Sequence, residues 1–369
     1  MRNYKIDILR GISILLVLIH HFNIPYKIHD TFLGVLVFGE NLSTLVARNG
    51  NYGVTMFFVI SGFLITQNIL KREGTLEKIN LKNFYIRRIA RIIPSLILLI
   101  SLVTFLKSLG LSPFMNHDPN NIKVSYWFTV FSACTFWMNI LIIENGWVNY
   151  VLGVLWSLSV EEVFYIVFPI LCLILGRGKL LVLPLIAIAV YAPYFRSLHF
   201  GADNEIYLYH YFASFDGLAI GCLTALFAKG FNKIRPFKNI IMSVVSISMI
   251  IIYVYAPIKE VSTWGVSAFA ILTAILLVCF LQESKVDTQS IFSRIMIWIG
   301  VRSYEIYLFH LIILGLFKVF FIPKETLPIE KIILLLLYFV LVFLLSWFIE
   351  KYYSSPLNVK IRNQFIAKN

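Results

Sequence analysis

The sequence predicts an all-α protein, a polytopic membrane helix bundle of about ten transmembrane helices plus one re-entrant or interfacial outer segment. Three observations carry that expectation. Of 369 residues, 59% are hydrophobic and only 14% are charged, a balance that water-soluble domains do not have. Apolar runs long enough to cross a bilayer recur from one end of the chain to the other. Lysines and arginines gather in alternate connections between those runs, as the cytoplasmic bias of basic loops requires. The net charge of +13 therefore reads as topology, and nucleic acid is not an expected partner.

The first run, 6–26, carries Arg10 and His21. Eleven steps of about 100° return to nearly the same helical face, and about 1.5 Å per residue sets them roughly 16 Å apart. An arginine near one surface thus stands below a histidine near the other, and ionisable groups within a span are costly enough to mark function. His20 points about 80° away. The basic start resembles a signal peptide, but Asn23, Pro25 and Tyr26 stand where a small-residue cleavage site would be, so a retained span is expected.

The second run, 53–70, includes Ser61 and Gly62, which permit close helix approach. Arg87, Arg88 and Arg91 lead into the third, 92–109, which contains Pro94. Arginines three and four apart on a helix can fork onto phosphates or simply anchor it. The run 124–143 decides the topology. If it does not cross, 23 of the 32 lysines and arginines lie inside, leaving Lys27, Arg48, Lys107, Lys123, Arg196, Lys259, Lys318, Lys324 and Lys331 outside. If it crosses, the bias vanishes. Ten spans with both termini cytoplasmic are therefore expected, with 124–143 an outer aromatic element.

The fourth span, 154–175, opens with Trp156 and holds Ser157, Glu161, Glu162 and Tyr165. Two adjacent carboxylates in hydrocarbon must be paired, protonated or turned to a polar cavity. Spans follow at 180–195, 207–228 (with Asp216), 239–257, 263–282, 295–321 (with Tyr307 and His310) and 330–350. His21, Glu161, Asp216 and His310 are expected in one leaflet, around one cavity open to the outside. Residues 1–350 form the membrane domain, and 351–369 a short basic cytoplasmic tail. Cys134, Cys172, Cys222 and Cys279 lack paired spacing and read as small core residues; no metal site is expected.

These blocks together resemble acyltransferase family 3, the integral-membrane O-acyltransferases of bacterial surface polysaccharides. The likeness is carried by Leu9-Arg10-Gly11 through His21, Gly53 to Phe63, Arg87 to Arg91 with Pro94, Trp156 to Tyr165, Phe215-Asp216-Gly217 and Ser303 to His310. It implies His21 as catalytic with Arg10 essential, and Arg88 and Arg91, with Arg87 beside them, at the acyl-coenzyme A donor. Glu161 is expected to orient His21, and His310, Asp216, Tyr307 and Ser61 to line the substrate cavity. It also implies a bacterial inner-membrane location. The absence of a Gly-Asp-Ser nucleophile block after Glu350 is expected of a stand-alone member. The expected reaction moves an acyl group, acetyl foremost, from cytoplasmic acyl-coenzyme A to a sugar hydroxyl of an extracytoplasmic or lipid-linked glycan. No permanently bound cofactor is implied. A transporter or flippase for a lipid-linked glycan is the rival, and a catalytically silent partner in glycan assembly is a third reading.

Overall fold

The computed structural model describes residues 4–28, 31, 48–119, 123–176, 180–282 and 290–366. Arg2, Arg177, Lys179, Lys285 and Lys368, the side chains of Lys229 and Lys233, and most of the outer segment 27–52 lie outside the described residues. The described chain is helical, with one isolated β-bridge between Asn116 and Asn149. Nine of its helices are long and apolar enough to cross a membrane.

The three helices of the first third alternate in direction. α1 (Tyr4–Tyr26) is met by α2 (Asn51–Glu73), with Gly50 against His20 and Gly53 against the Ser13 carbonyl. α2 ends at Gly74, whose positive φ closes the last turn by donating to the Leu70 carbonyl. α3 (Leu81–Ser108) starts at Asn80, whose side chain accepts from the Asn83 amide. Pro94 lies inside α3 without ending it.

The segment 124–143 does not form a span. It folds as α4 (Tyr126–Cys134) and α5 (Met138–Asn145), separated by a turn at Phe136. Nine and eight residues reach about 13 Å each, well short of the roughly 30 Å of hydrocarbon. The flanking strands of chain come back together: the His117 amide donates to the Val148 carbonyl, and Asn149 donates to Asn116. The chain therefore leaves α3 and enters the next helix at the same end of the bundle. Trp127 and Phe131 stay exposed on this element, as at an aromatic membrane interface.

α6 (Trp156–Leu175) then runs back towards the start of α3, and α7 (Val182–Leu198) is a shorter apolar helix of 17 residues. α8 (Tyr211–Phe227) runs alongside α2 at very close range. A Cβ on Gly62 would strike the Leu218 carbonyl, and one on Gly221 the Val59 carbonyl, so glycine sets this separation. α9 (Lys238–Tyr255) and α10 (Ile258–Leu281) complete that flank; α9 turns Ile240, Val244, Ile247 and Ile251 outward, as a lipid-facing helix does.

The expected single span over 295–321 is two helices. α11 (Ile291–Val301) and α12 (Ser303–Phe320) meet at a break at Arg302. Eleven residues cover about 16 Å, too short to cross alone. α11 lies against the Arg10 half of α1, with Met296 on Gly11 and Gly300 on the Asp7 carbonyl. α13 (Pro328–Ile349) begins with proline in its first turn, and the Glu330 carboxylate accepts from the Leu327 amide. The expected short basic tail is helical over most of its length. Five residues of π-helix, Glu350–Ser354, lead into α14 (Ser355–Phe365), which packs along α3. Two contacts pin this junction to the foot of α12, where Ser354 donates to Glu305 (2.7 Å) and Arg302 meets Glu350 (3.4 Å).

Candidate active site

α1, α2, α3, α6, α12 and α14 surround a cavity of about 290 Å³. Its mouth is ringed by Arg72, Asn80, Arg87 and Arg362, and its inner end is closed by Ser157 and Tyr307. From Arg72 to Ser61, both on its wall, is eleven residues of α2, or about 16 Å. Arg10, Arg88 and Arg91 line the stretch between, so six guanidiniums face one space. Apolar side chains such as Phe57, Leu64, Ile69 and Ile92 line the rest of the wall. The concentration of guanidiniums is complementary to a polyanion, because guanidinium forks match phosphate oxygens in pairs.

The individual side chains are held from below. The Arg88 guanidinium lies 3.7 Å from the centre of the Tyr165 ring, a cation–π contact that fixes its plane. Arg91 stands 5.7 Å from the Tyr304 ring, whose hydroxyl donates to the Ile92 carbonyl. Arg10 pairs loosely with Asp7 at 3.7 Å, one turn earlier on α1. Ser61 donates to Glu161 at 2.6 Å. Glu162, one residue on, is buried and turns Oε1 to no hydrogen-bond partner among the described residues.

At the closed end, Tyr307 donates its single proton to the Val154 carbonyl (3.0 Å). It must then accept at 2.7 Å from the Ser157 hydroxyl. One turn along α12, the His310 ring packs edge-on against His21 with centroids 4.8 Å apart, and the Tyr307 ring lies 5.8 Å from His310. A line of side chains thus runs Ser157, Tyr307, His310, His21. Both imidazoles bond a backbone carbonyl through Nδ1, His21 to Val17 (2.9 Å) and His310 to Tyr307 (2.7 Å). A carbonyl oxygen only accepts, so in each neutral ring Nδ1 carries the hydrogen and Nε2 keeps its lone pair. His310 is completely buried and its Nε2 has no partner among the described residues; His21 is half-buried.

The structure therefore gathers Arg10, Ser61, Arg87, Arg88, Arg91, Glu161 and Tyr307 on one cavity, with the His21–His310 pair just beyond its closed end. Four expectations are corrected. Glu161 bonds Ser61, and what orients His21 is the Val17 carbonyl together with the His310 ring. His310 itself is sealed off and does not line the cavity. Asp216 is elsewhere. It accepts from Arg196 at 2.8 Å and from Ser267 at 2.5 Å, and Arg196 also donates to Ser267 and the Ala213 carbonyl. This ion pair joins α7, α8 and α10 beside a separate small cavity of about 30 Å³. Nor does the main cavity open where it was expected. Its mouth is at the arginine end, opposite His21.

Sequence reasoning missed Arg72, Asn358 and Arg362 at the mouth, and Arg196 as the partner of Asp216. The last was accessible in principle, since a carboxylate within a span demands a partner and Arg196 is the basic residue closing the preceding run.

Residues 3–351 match a family model described as an acyltransferase domain. The chain belongs to this acyltransferase family, in a helical membrane form. Among its relatives is the peptidoglycan O-acetyltransferase OatA of Listeria monocytogenes, 26% identical over 323 residues, covering 83% of this chain and 48% of the relative. The O-acetyltransferase OatA of Staphylococcus aureus is 27% identical over 301 residues, covering 75% and 48%. A protein of Staphylococcus aureus strain COL, provisionally named an O-acetyltransferase, is 27% identical over 330 residues, covering 79% and 50%. The chain thus spans about half the length of the curated relatives it matches. No solved structure matches it significantly.

Proposed function

We propose that this chain transfers an acyl group, acetyl foremost, from acyl-coenzyme A to a sugar hydroxyl of an extracytoplasmic or lipid-linked glycan. The observation that carries the reading is the continuity from a six-arginine cavity, through the Ser157–Tyr307 pair, to two histidines with Nε2 lone pairs. The donor enters from the arginine end, which is the cytoplasmic side where acyl-coenzyme A is made. Arg88 and Arg91 hold its phosphates, Arg10 orients the arm below the acyl group, and Glu161 with Ser61 positions the guanidiniums across the cavity. The acceptor hydroxyl arrives from the opposite face of a bacterial cytoplasmic membrane.

In the chemical step the hydroxyl oxygen bonds to the thioester carbonyl carbon while His21 Nε2 takes its proton as general base. The tetrahedral adduct collapses, the carbon–sulfur bond breaks, and the imidazolium returns the proton to the departing thiolate. The Val17 carbonyl serves this role by holding His21 in the one tautomer whose Nε2 accepts. His310, edge-on, fixes the ring and excludes water. The test is mass spectrometry of cell-envelope glycans from cells carrying the wild type or His21→Ala at equal protein level. Loss of acylated sugar in the variant is expected, whereas unchanged acylation in the variant would remove the general base from this account. Loss of the whole glycan, rather than of its acyl groups alone, in cells lacking the protein would favour a transporter.

A further inference from the structure

The segment after the last long apolar span is part of the cavity rather than a tail. α14 carries Asn358 and Arg362 onto the mouth, beside Arg72 at the end of α2 and Arg87 on α3. Three guanidiniums from three elements thus converge at one opening, and each of Arg72 and Arg87 lies within electrostatic reach of Arg362. Like charges brought together cost stability, and among the described residues Glu73 is the single acidic side chain on the mouth. A bound dianion would offset that repulsion. Asn80, Asn83 and Asn358 on the same rim add neutral donors.

Position limits what the dianion belongs to. The mouth cluster is about 16 Å along α2 from Ser61 and Glu161, where the cavity narrows towards the histidines. A small donor such as an acyl phosphate has its phosphorus one atom from the reacting carbonyl, and does not reach both places. A long carrier with a phosphomonoester at its far end does. Arg88, committed to Tyr165, and Arg91 lie deeper along the same arm and suit an internal diphosphate.

We infer that Arg72, Arg87 and Arg362 form a phosphomonoester clamp, completed by α14, that recognises the terminal 3′-phosphate of the coenzyme A donor. This rests on the donor reading above and adds to it a specificity determinant outside the long spans. The π-helical turn at Glu350–Ser354, pinned by Ser354–Glu305 and Arg302–Glu350, is what aims α14 across the mouth.

The same chemistry would bind an anionic lipid headgroup, so the test must separate the two. The full chain in phosphatidylcholine nanodiscs is titrated with coenzyme A and with dephospho-coenzyme A, which lacks only the 3′-phosphate. Wild type should bind coenzyme A about tenfold more tightly, the worth of one charge-assisted hydrogen bond. Arg362→Gln and, separately, Arg72→Gln should bring the two ligands to nearly equal affinity, and phosphatidylglycerol in the nanodisc should leave the wild-type ratio unchanged. Because the readout is a ratio within each variant, a general loss of folded protein does not imitate it. A wild-type preference that survives in both variants, or that phosphatidylglycerol abolishes, overturns the clamp while leaving the donor site standing. Wild type that binds neither ligand overturns the donor reading and the clamp with it.

Discussion

A histidine in a helix can use either nitrogen, and the choice decides what it can do. His21 spends Nδ1 on the Val17 carbonyl, so its basic nitrogen is the one directed off the helix backbone. His20, one step round, has its Cβ packed against Gly50 instead. His21→Ala should therefore abolish glycan acylation in cells while His20→Ala retains it, both read by mass spectrometry at matched expression. Retained acylation in His21→Ala would reduce that histidine to packing. The same scale separates Asp216 from the site. Arg196 is fully buried and its ion pair with Asp216 is shared with Ser267. Removing one partner strands the other charge, which typically costs about 3–5 kcal/mol, whereas removing both costs much less. Asp216→Asn should lower thermal stability in detergent strongly, and Asp216→Asn with Arg196→Met should recover part of it. A stable Asp216→Asn protein with lost donor binding would return Asp216 to the substrate site.

Helices here are positioned by what they lack as much as by what they bear. α11 reaches α1 only because Gly11 and Gly300 leave room for the facing carbonyls. Gly300→Val would force the two apart, and overpacking of this kind costs about 1–3 kcal/mol or more. The expected result is a lower unfolding temperature with reduced donor binding, since α1 carries Arg10. Gly230→Ala, with no described atom within 4 Å of the added carbon, should leave both unchanged. Equal tolerance at the two positions would show that the close approach is not required. α11 also shows where sequence pattern runs out. The run 295–321 is apolar throughout, and hydropathy has no term for a chain that turns at Arg302 to satisfy Glu350. The aromatic run 124–143 was legible because basic-residue counts constrain the whole topology. The break at Phe136, a local backbone event with positive φ, was not. At the site, types and faces were readable: Arg10 under His21, Arg88 and Arg91 in one stack, Tyr307 near His310. Partners were not, because Ser61–Glu161 and Arg196–Asp216 join residues 100 and 20 positions apart. α14 was hidden for the opposite reason, since its polar composition reads as solvated chain until α3 supplies a surface.

Taken whole, the molecule is an asymmetric bundle. One end collects arginines around an open mouth, and the histidine pair lies towards the other. Cysteines introduced near Ser112 and near Trp147 should react with a membrane-impermeant thiol reagent from one and the same side, because Asn116 and Asn149 are bonded to each other. Labelling from opposite sides would break the topology. If the two ends serve donor and acceptor separately, transfer should be vectorial. Purified protein is reconstituted in vesicles, acetyl-coenzyme A labelled in its acetyl group is supplied at the arginine end, and a glycan acceptor is enclosed at the other. Labelled acceptor is expected with wild type and none with His21→Ala, while that variant still binds acetyl-coenzyme A undiminished. Label reaching the acceptor equally with His21→Ala, or only when donor and acceptor share one face, would contradict vectorial transfer through His21.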